Sequence, residues 1–174
     1  MRAALERILE GHMPYPAVVI EPGGDLVSAN RAFSLLTADA DPALLRAPVN
    51  VARLLLDPRG LAPRIANLPE WSAHVLEGVR QAAASYPDPR LAARVAELER
   101  LVPQAGATAA GDFAGFAVPL RLVTPRGEMQ LLTTLTHFGT TLDVTLAELR
   151  LEAFLPGDER TAELPAEAVA QTRR

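Results

Sequence analysis

"YPAVVIEPGGDLVSANRAFSLL", Tyr15 to Leu36, is the stretch on which the fold turns. Ala17 to Ile20 is a short apolar run following Pro16 and stopped by Pro22, which reads as a strand rather than a helix. In "EPGGD", residues 21–25, Pro22 fixes one φ and Gly23 or Gly24 can supply a positive one, so the chain turns back. Leu26 to Ala29 then forms the second arm of a hairpin. Asn30 suits the N-cap of a short helix, "RAFSLL", that puts Phe33 and Leu36 on one side. So short a helix holds only when it packs against something.

Outward from this unit, Leu5, Ile8 and Leu9 recur at helical spacing over residues 2–10, and Gly11 with Pro14 and Pro16 ends that helix. Residues 38–67 are broken by prolines 42, 48, 58 and 63, with short helices expected at Pro42–Arg46 and Val51–Leu56. A longer helix runs from Pro69 with Trp71, Val75, Leu76 and Val79 on one face, and it ends near "YPDP". Asp88 caps the next, with Pro89 in its first turn and Leu91, Val95, Leu98 and Val102 as its stripe.

After the small-residue linker "QAGATAAGD" the apolar period changes to two. Phe116, Val118, Leu120 and Leu122 alternate along one strand, and Met129, Leu131, Thr133, Leu135 and His137 share a face of the next. In "TLAELRLEAFLP" Leu149, Leu151, Ala153 and Leu155 lie on one side, and Glu148, Arg150 and Glu152 on the other, the pattern of a half-solvated antiparallel strand. The expected fold is therefore α/β in the α+β sense. An antiparallel sheet of about five strands carries its helices between the second and third, which is the element order of a PAS-like fold. One domain over residues 1–160 and a tail over 161–174, containing a short helix with a frayed end, complete the reading.

Composition narrows function mostly by exclusion. The chain of 174 residues can bury roughly 70% of its unfolded surface in one core. All 17 basic residues are arginines and are outnumbered by 21 acidic ones, a balance that disfavours nonspecific DNA binding. The absence of cysteine removes thiolate chemistry, disulfides and Cys-ligated metals. No apolar run is long enough to span a bilayer, and "MRAALERILEGHMP" is interrupted by Glu6 and Glu10, unlike a signal peptide. A cytoplasmic protein without membrane contact is the expectation.

No enzyme signature stands out, and neither a cofactor nor a metal is expected. His12, His74 and His137 are too far apart in sequence for a local metal site, and His137, by parity on an apolar strand face, reads first as a packed, hydrogen-bonded side chain. "PGGD" lacks the Gly-Lys-Ser/Thr end of a phosphate loop, and Ser28, Ser34, Ser72 and Ser85 lack a glycine elbow. Trp71, the sole tryptophan, is either a core anchor or a pocket wall. Asn30 either caps its helix or turns its amide toward a bound polar head, and Gly139 to Asp143 forms a polar turn or a pocket edge.

Four segments carry a family resemblance. "HMPYPAVVIEPGGDLVSANRAFSLL" (12–36), "LLLDPRG" (54–60), "EWSAHVLEGVRQAAASYPDPRLAARVAEL" (70–98) and "FGTTLDVTLAELRLEAFLPGDERT" (138–161) together resemble the MmyB-like ligand-binding domain. That PAS-like domain follows a helix-turn-helix of the XRE type in bacterial transcription regulators. The resemblance implies a largely apolar internal cavity and a small hydrophobic ligand such as a fatty acid. DNA contact would come only through a helix-turn-helix domain, for which the ten or so residues before His12 are too few. The resemblance carries no catalytic motif.

On this reading the ligand enters between the sheet and the helices of 69–84 and 88–102. Phe33, Trp71, Val75, Phe116, Leu120, Leu131 and Leu135 form the expected wall, with Asn30 and His137 as polar contacts. Arg31, Arg53 or Arg64 would meet a carboxylate at the mouth. A homodimer is a possible partner arrangement. The competing readings are a dimerisation module with a filled core and a small enzyme acting on a hydrophobic substrate.

Overall fold

The computed structural model describes residues 2–86, 88–102, 118–138 and 148–164. Five antiparallel strands form one sheet in the order β2-β1-β5-β4-β3. They are β1 (Ala17–Ile20), β2 (Leu26–Ala29), β3 (Leu120–Thr124), β4 (Gly127–His137) and β5 (Arg150–Pro156). All the longer helices but one lie between β2 and β3, as the PAS-like element order requires: α2 (Ser34–Thr37), α3 (Val51–Leu56), α4 (Leu68–Ser85) and α5 (Pro89–Leu101). The exception, α1 (Arg2–Glu10), precedes the sheet.

The hairpin turns at Gly24, whose φ of +83° assigns it the left-handed position. The continuous apolar character of β1 has a simple cause: both faces of the strand are covered. Val18 and Ile20 pack into the main core beneath the helices, while Ala17 and Val19 pack with Leu5 and Leu9 of α1 on the back of the sheet. Ile8, expected in the α1 stripe, is 40% exposed, because Leu5 and Leu9 alone provide the contact.

The same two-sided cover corrects the reading of β5. Its leucine face does not form the main core. Leu149, Leu151 and Ala153 belong to the back cluster under α1, and the face bearing Arg150 and Glu152 is the helix-covered one, where Phe154 is fully buried. Alternation located the two faces correctly; it could not say that the polar one is covered as well.

The helical layer is held at identifiable points. Asn67 donates from Nδ2 to the Pro119 carbonyl (2.8 Å) and accepts at Oδ1 from Arg121 N–H (3.0 Å), which pins the start of α4 to β3. Asp88 Oδ1 accepts from Arg90 N–H at 2.8 Å, the expected cap of α5. Asn50 caps α3 through Arg53 N–H (2.9 Å) and donates to the carboxylate of Asp25 (2.8 Å), which also meets Arg94 of α5 (3.3 Å). Past β5, residues 159–164 are helical and Thr161 is fully buried, its hydroxyl accepting from Gln130 N–H at 2.8 Å. Phe116 and the Gly139–Asp143 turn lie outside the described residues.

Candidate functional site: a cavity between sheet and helices

A cavity of about 200 Å³ opens between the sheet and helices α3 and α4. Its apolar wall comes from Ile20 and Leu135 on the sheet, Val51 and Leu55 on α3, and Trp71 and Val75 on α4. That volume lies below the roughly 300–1,000 Å³ of pockets for drug-sized ligands. It suits a compact molecule, or one end of a longer one.

The floor is not apolar throughout, since Arg150 and Glu152 of β5 also line the cavity. Glu152 pairs across the sheet with Val18 and Leu135, and Arg150 with Ile20 and His137. Desolvation among such neighbours pushes the Glu152 carboxyl up to about 7, against the opposing pull of the Arg150 charge. Arg150 Nε and the indole Nε1 of Trp71 are both buried and find no acceptor among the described residues. Trp71 itself is only 1% exposed. His74 lies at the rim with its ring 5.4 Å from that of Trp71, and desolvation lowers its pKa, so it is neutral at pH 7.

Gly78 also lines the cavity, in the interior of α4. A Cβ built there would meet nothing within 4 Å. Glycine in a helix interior is unfavourable by about 1 kcal/mol relative to alanine. Gly78 is solvent-exposed, so this open space lies at the mouth of the cavity.

The ionisation of Glu152 has a measurable consequence. The folded chain holds this proton up to about pH 7, whereas the ordinary value is 4.5, so between those limits the folded state binds more protons than the unfolded state. Stability therefore falls as pH rises through this window. Glu152→Gln is expected to raise stability at pH 8 by about 2 kcal/mol, after a discount for residual exposure, and to change it little at about pH 4.5. Urea unfolding at both pH values checks this.

The residues expected from sequence are divided by the structure. Trp71, Val75 and Leu135 line the cavity together. Phe33, Leu120 and Leu131 are buried members of the adjoining hydrophobic core. His137 shares the helix-facing side of β4 but is exposed rather than packed, because that end of the strand runs beyond the buried stretch at Met129 and Leu131. Asn30 occupies the N-cap position without capping; its side chain bonds to Leu9, Tyr15 and Ala17 instead.

The three arginines considered for a carboxylate are placed away from the cavity wall. Arg53 pairs with Glu97 at 3.3 Å, Arg64 pairs with Asp39 at 3.0 Å, and Arg31 is exposed. The arginine that does line the cavity is Arg150. Its only sequence signal was the strand alternation, which had pointed it to solvent. Among the described residues no group of three or more His, Asp or Glu could hold a metal ion, and no helix is long and apolar enough to cross a membrane.

Among solved structures the chain is similar to the PAS domain of BvgS from Bordetella pertussis, at 13% identity and a TM-score of 0.40, with 99% of this chain and 98% of that one covered. No curated relative matches it. Residues 1–166 match the family described as MmyB-like transcription regulator ligand binding domain. Since that match takes in every residue from α1 through β5, the chain belongs to the MmyB-like transcription regulator ligand-binding domains.

Proposed function

We infer that this domain is the sensing part of a bacterial transcription regulator and binds a small hydrophobic molecule, such as a fatty acid, in the cavity under α3 and α4. The observation that carries the reading is the cavity itself, with apolar walls from β1, β4, α3 and α4. Each methylene buried there is worth about 0.8 kcal/mol. Binding favours one packing of α3 and α4 on the sheet, and an attached domain or a second subunit reads the change.

The start of α4 is pinned to β3 through Asn67, and its later turns are held by the buried Leu76, Val79 and Ala82. DNA contact belongs, on this reading, to a helix-turn-helix domain joined to this one, and the setting is cytoplasmic.

The test is native mass spectrometry of the purified protein under conditions that retain copurified molecules, followed by extraction and identification. A discrete adduct with an apolar body is expected, together with a thermal shift from added fatty acids. Gly78→Leu, which adds a side chain at the mouth of the cavity, is expected to weaken adduct retention while gaining about 1 kcal/mol of helix stability. A clean apoprotein mass with no thermal shift would instead favour a dimerisation module.

A further inference from the structure

The cavity contains more hydrogen-bonding capacity than an apolar ligand can use. Arg150 Nε and Trp71 Nε1 are two buried donors without acceptors among the described residues, and both residues line the same cavity as Glu152. A buried donor left unsatisfied is a liability that a ligand's acceptor atom removes on binding. The carboxyl of Glu152, between Val18 and Leu135 on the neighbouring strands, faces the cavity as a group able to accept.

Charge decides which kind of head group fits. The lining carries one guanidinium, Arg150, against two carboxyl groups, Glu152 and Glu77, and His74 at the rim adds no positive charge at neutral pH. An anionic head would gain from Arg150 and lose to Glu152 beside it, with Glu77 opposing it as well. A neutral head avoids that conflict and can use both sides of the site.

Resting on the reading of this cavity as the ligand site, we propose that its polar end recognises an uncharged amphiphile whose head carries both a carbonyl acceptor and an N–H or O–H donor, as in an amide. The carbonyl accepts from Trp71 Nε1 and Arg150 Nε, and the donor is taken by Glu152. A fatty acid satisfies the same requirement only as its protonated form. The apolar chain lies against Ile20, Val51, Leu55 and Val75.

Matched probes test this directly: octanamide and octanoate, titrated calorimetrically at pH 8 into the full chain stripped of copurified molecules. Octanamide is expected to bind about tenfold or more tightly than octanoate, the gain of one or two satisfied buried hydrogen bonds. Trp71→Phe keeps the ring and removes the N–H, and is expected to weaken octanamide about fivefold or more. Glu152→Leu, checked for folding by its thermal melt, should independently erase the preference for the amide. Equal binding of the two probes, or tighter octanoate, would overturn the head-group assignment while leaving the apolar cavity as the ligand site. Binding of neither probe would overturn both.

Discussion

Asn30→Ala is expected to destabilise the domain by about 3–5 kcal/mol, the largest effect among single polar substitutions discussed for this chain. Asn30 is only 5% exposed. Its Oδ1 accepts from Ala17 N–H at 3.1 Å, and its Nδ2 donates to the carbonyls of Leu9 (3.2 Å) and Tyr15 (2.8 Å). One amide thus joins the last turn of α1, the chain entering β1, and the end of β2. Alanine would leave the Ala17 N–H and the Tyr15 carbonyl without a partner, each worth about 1–3 kcal/mol when buried, while the Leu9 carbonyl still accepts from His12 N–H. Asn30→Asp is expected to be no better, because it keeps the acceptor for Ala17 but sets a carboxylate against two carbonyl oxygens. Urea unfolding measures the loss, and hydrogen exchange should show the Ala17 amide losing protection. A loss below about 1 kcal/mol would mean that α1 is held by Leu5 and Leu9 alone.

Gly60→Ala is expected to cost about 3 kcal/mol or more, for a different reason. A Cβ at Gly60 would collide with the Leu54 carbonyl oxygen and stand 3.3 Å from that of Asp57. Both are backbone atoms, and both are in use: Leu61 N–H donates to Leu54 (2.9 Å) and Gly60 N–H to Asp57 (2.8 Å). The chain folds tightly back along α3 here, with the Asp57 side chain accepting from Arg59 N–H at 2.9 Å. A methyl group can fit only if the end of α3 moves. Because Val51 and Leu55 of α3 line the cavity, the variant should also weaken ligand retention in proportion to that movement. Thermal unfolding and adduct occupancy by native mass spectrometry check the two effects together. A variant as stable as the parent would show that the loop has room the structure does not display.

The fold was largely legible in the sequence because its signals are local. Apolar runs, period changes, Asp88 before Pro89 and a glycine in the hairpin turn each act within a few residues. The candidate site was less legible, and the reasons are particular. Trp71 and Val75 were found because a helix stripe with a large ring has few destinations. Arg150 and Glu152 were assigned to solvent because alternation on β5 distinguishes two faces without saying which is covered, and here α1 covers one and the helical layer the other. Asn30 was expected at a helix cap because that is the usual local role of asparagine. Its actual partners, Leu9 and Tyr15, depend on where α1 packs, which is a long-range matter. Gly60 closes the "DPRG" turn that the sequence signals, but its closeness to the Leu54 carbonyl depends on how the chain folds back along α3.

The central claim, that the space under α4 is where the ligand sits, can be read from a single chromophore. Trp71 is the only tryptophan in the chain, is buried, and lines the cavity with its indole N–H unpartnered among the described residues. Its emission should be followed while stripped protein is titrated with octanoic acid and, separately, with octanamide. The account predicts a saturable change in Trp71 emission, with one site per chain. An unchanged spectrum, at probe concentrations where native mass spectrometry shows the probe bound, would place the ligand elsewhere and contradict the account.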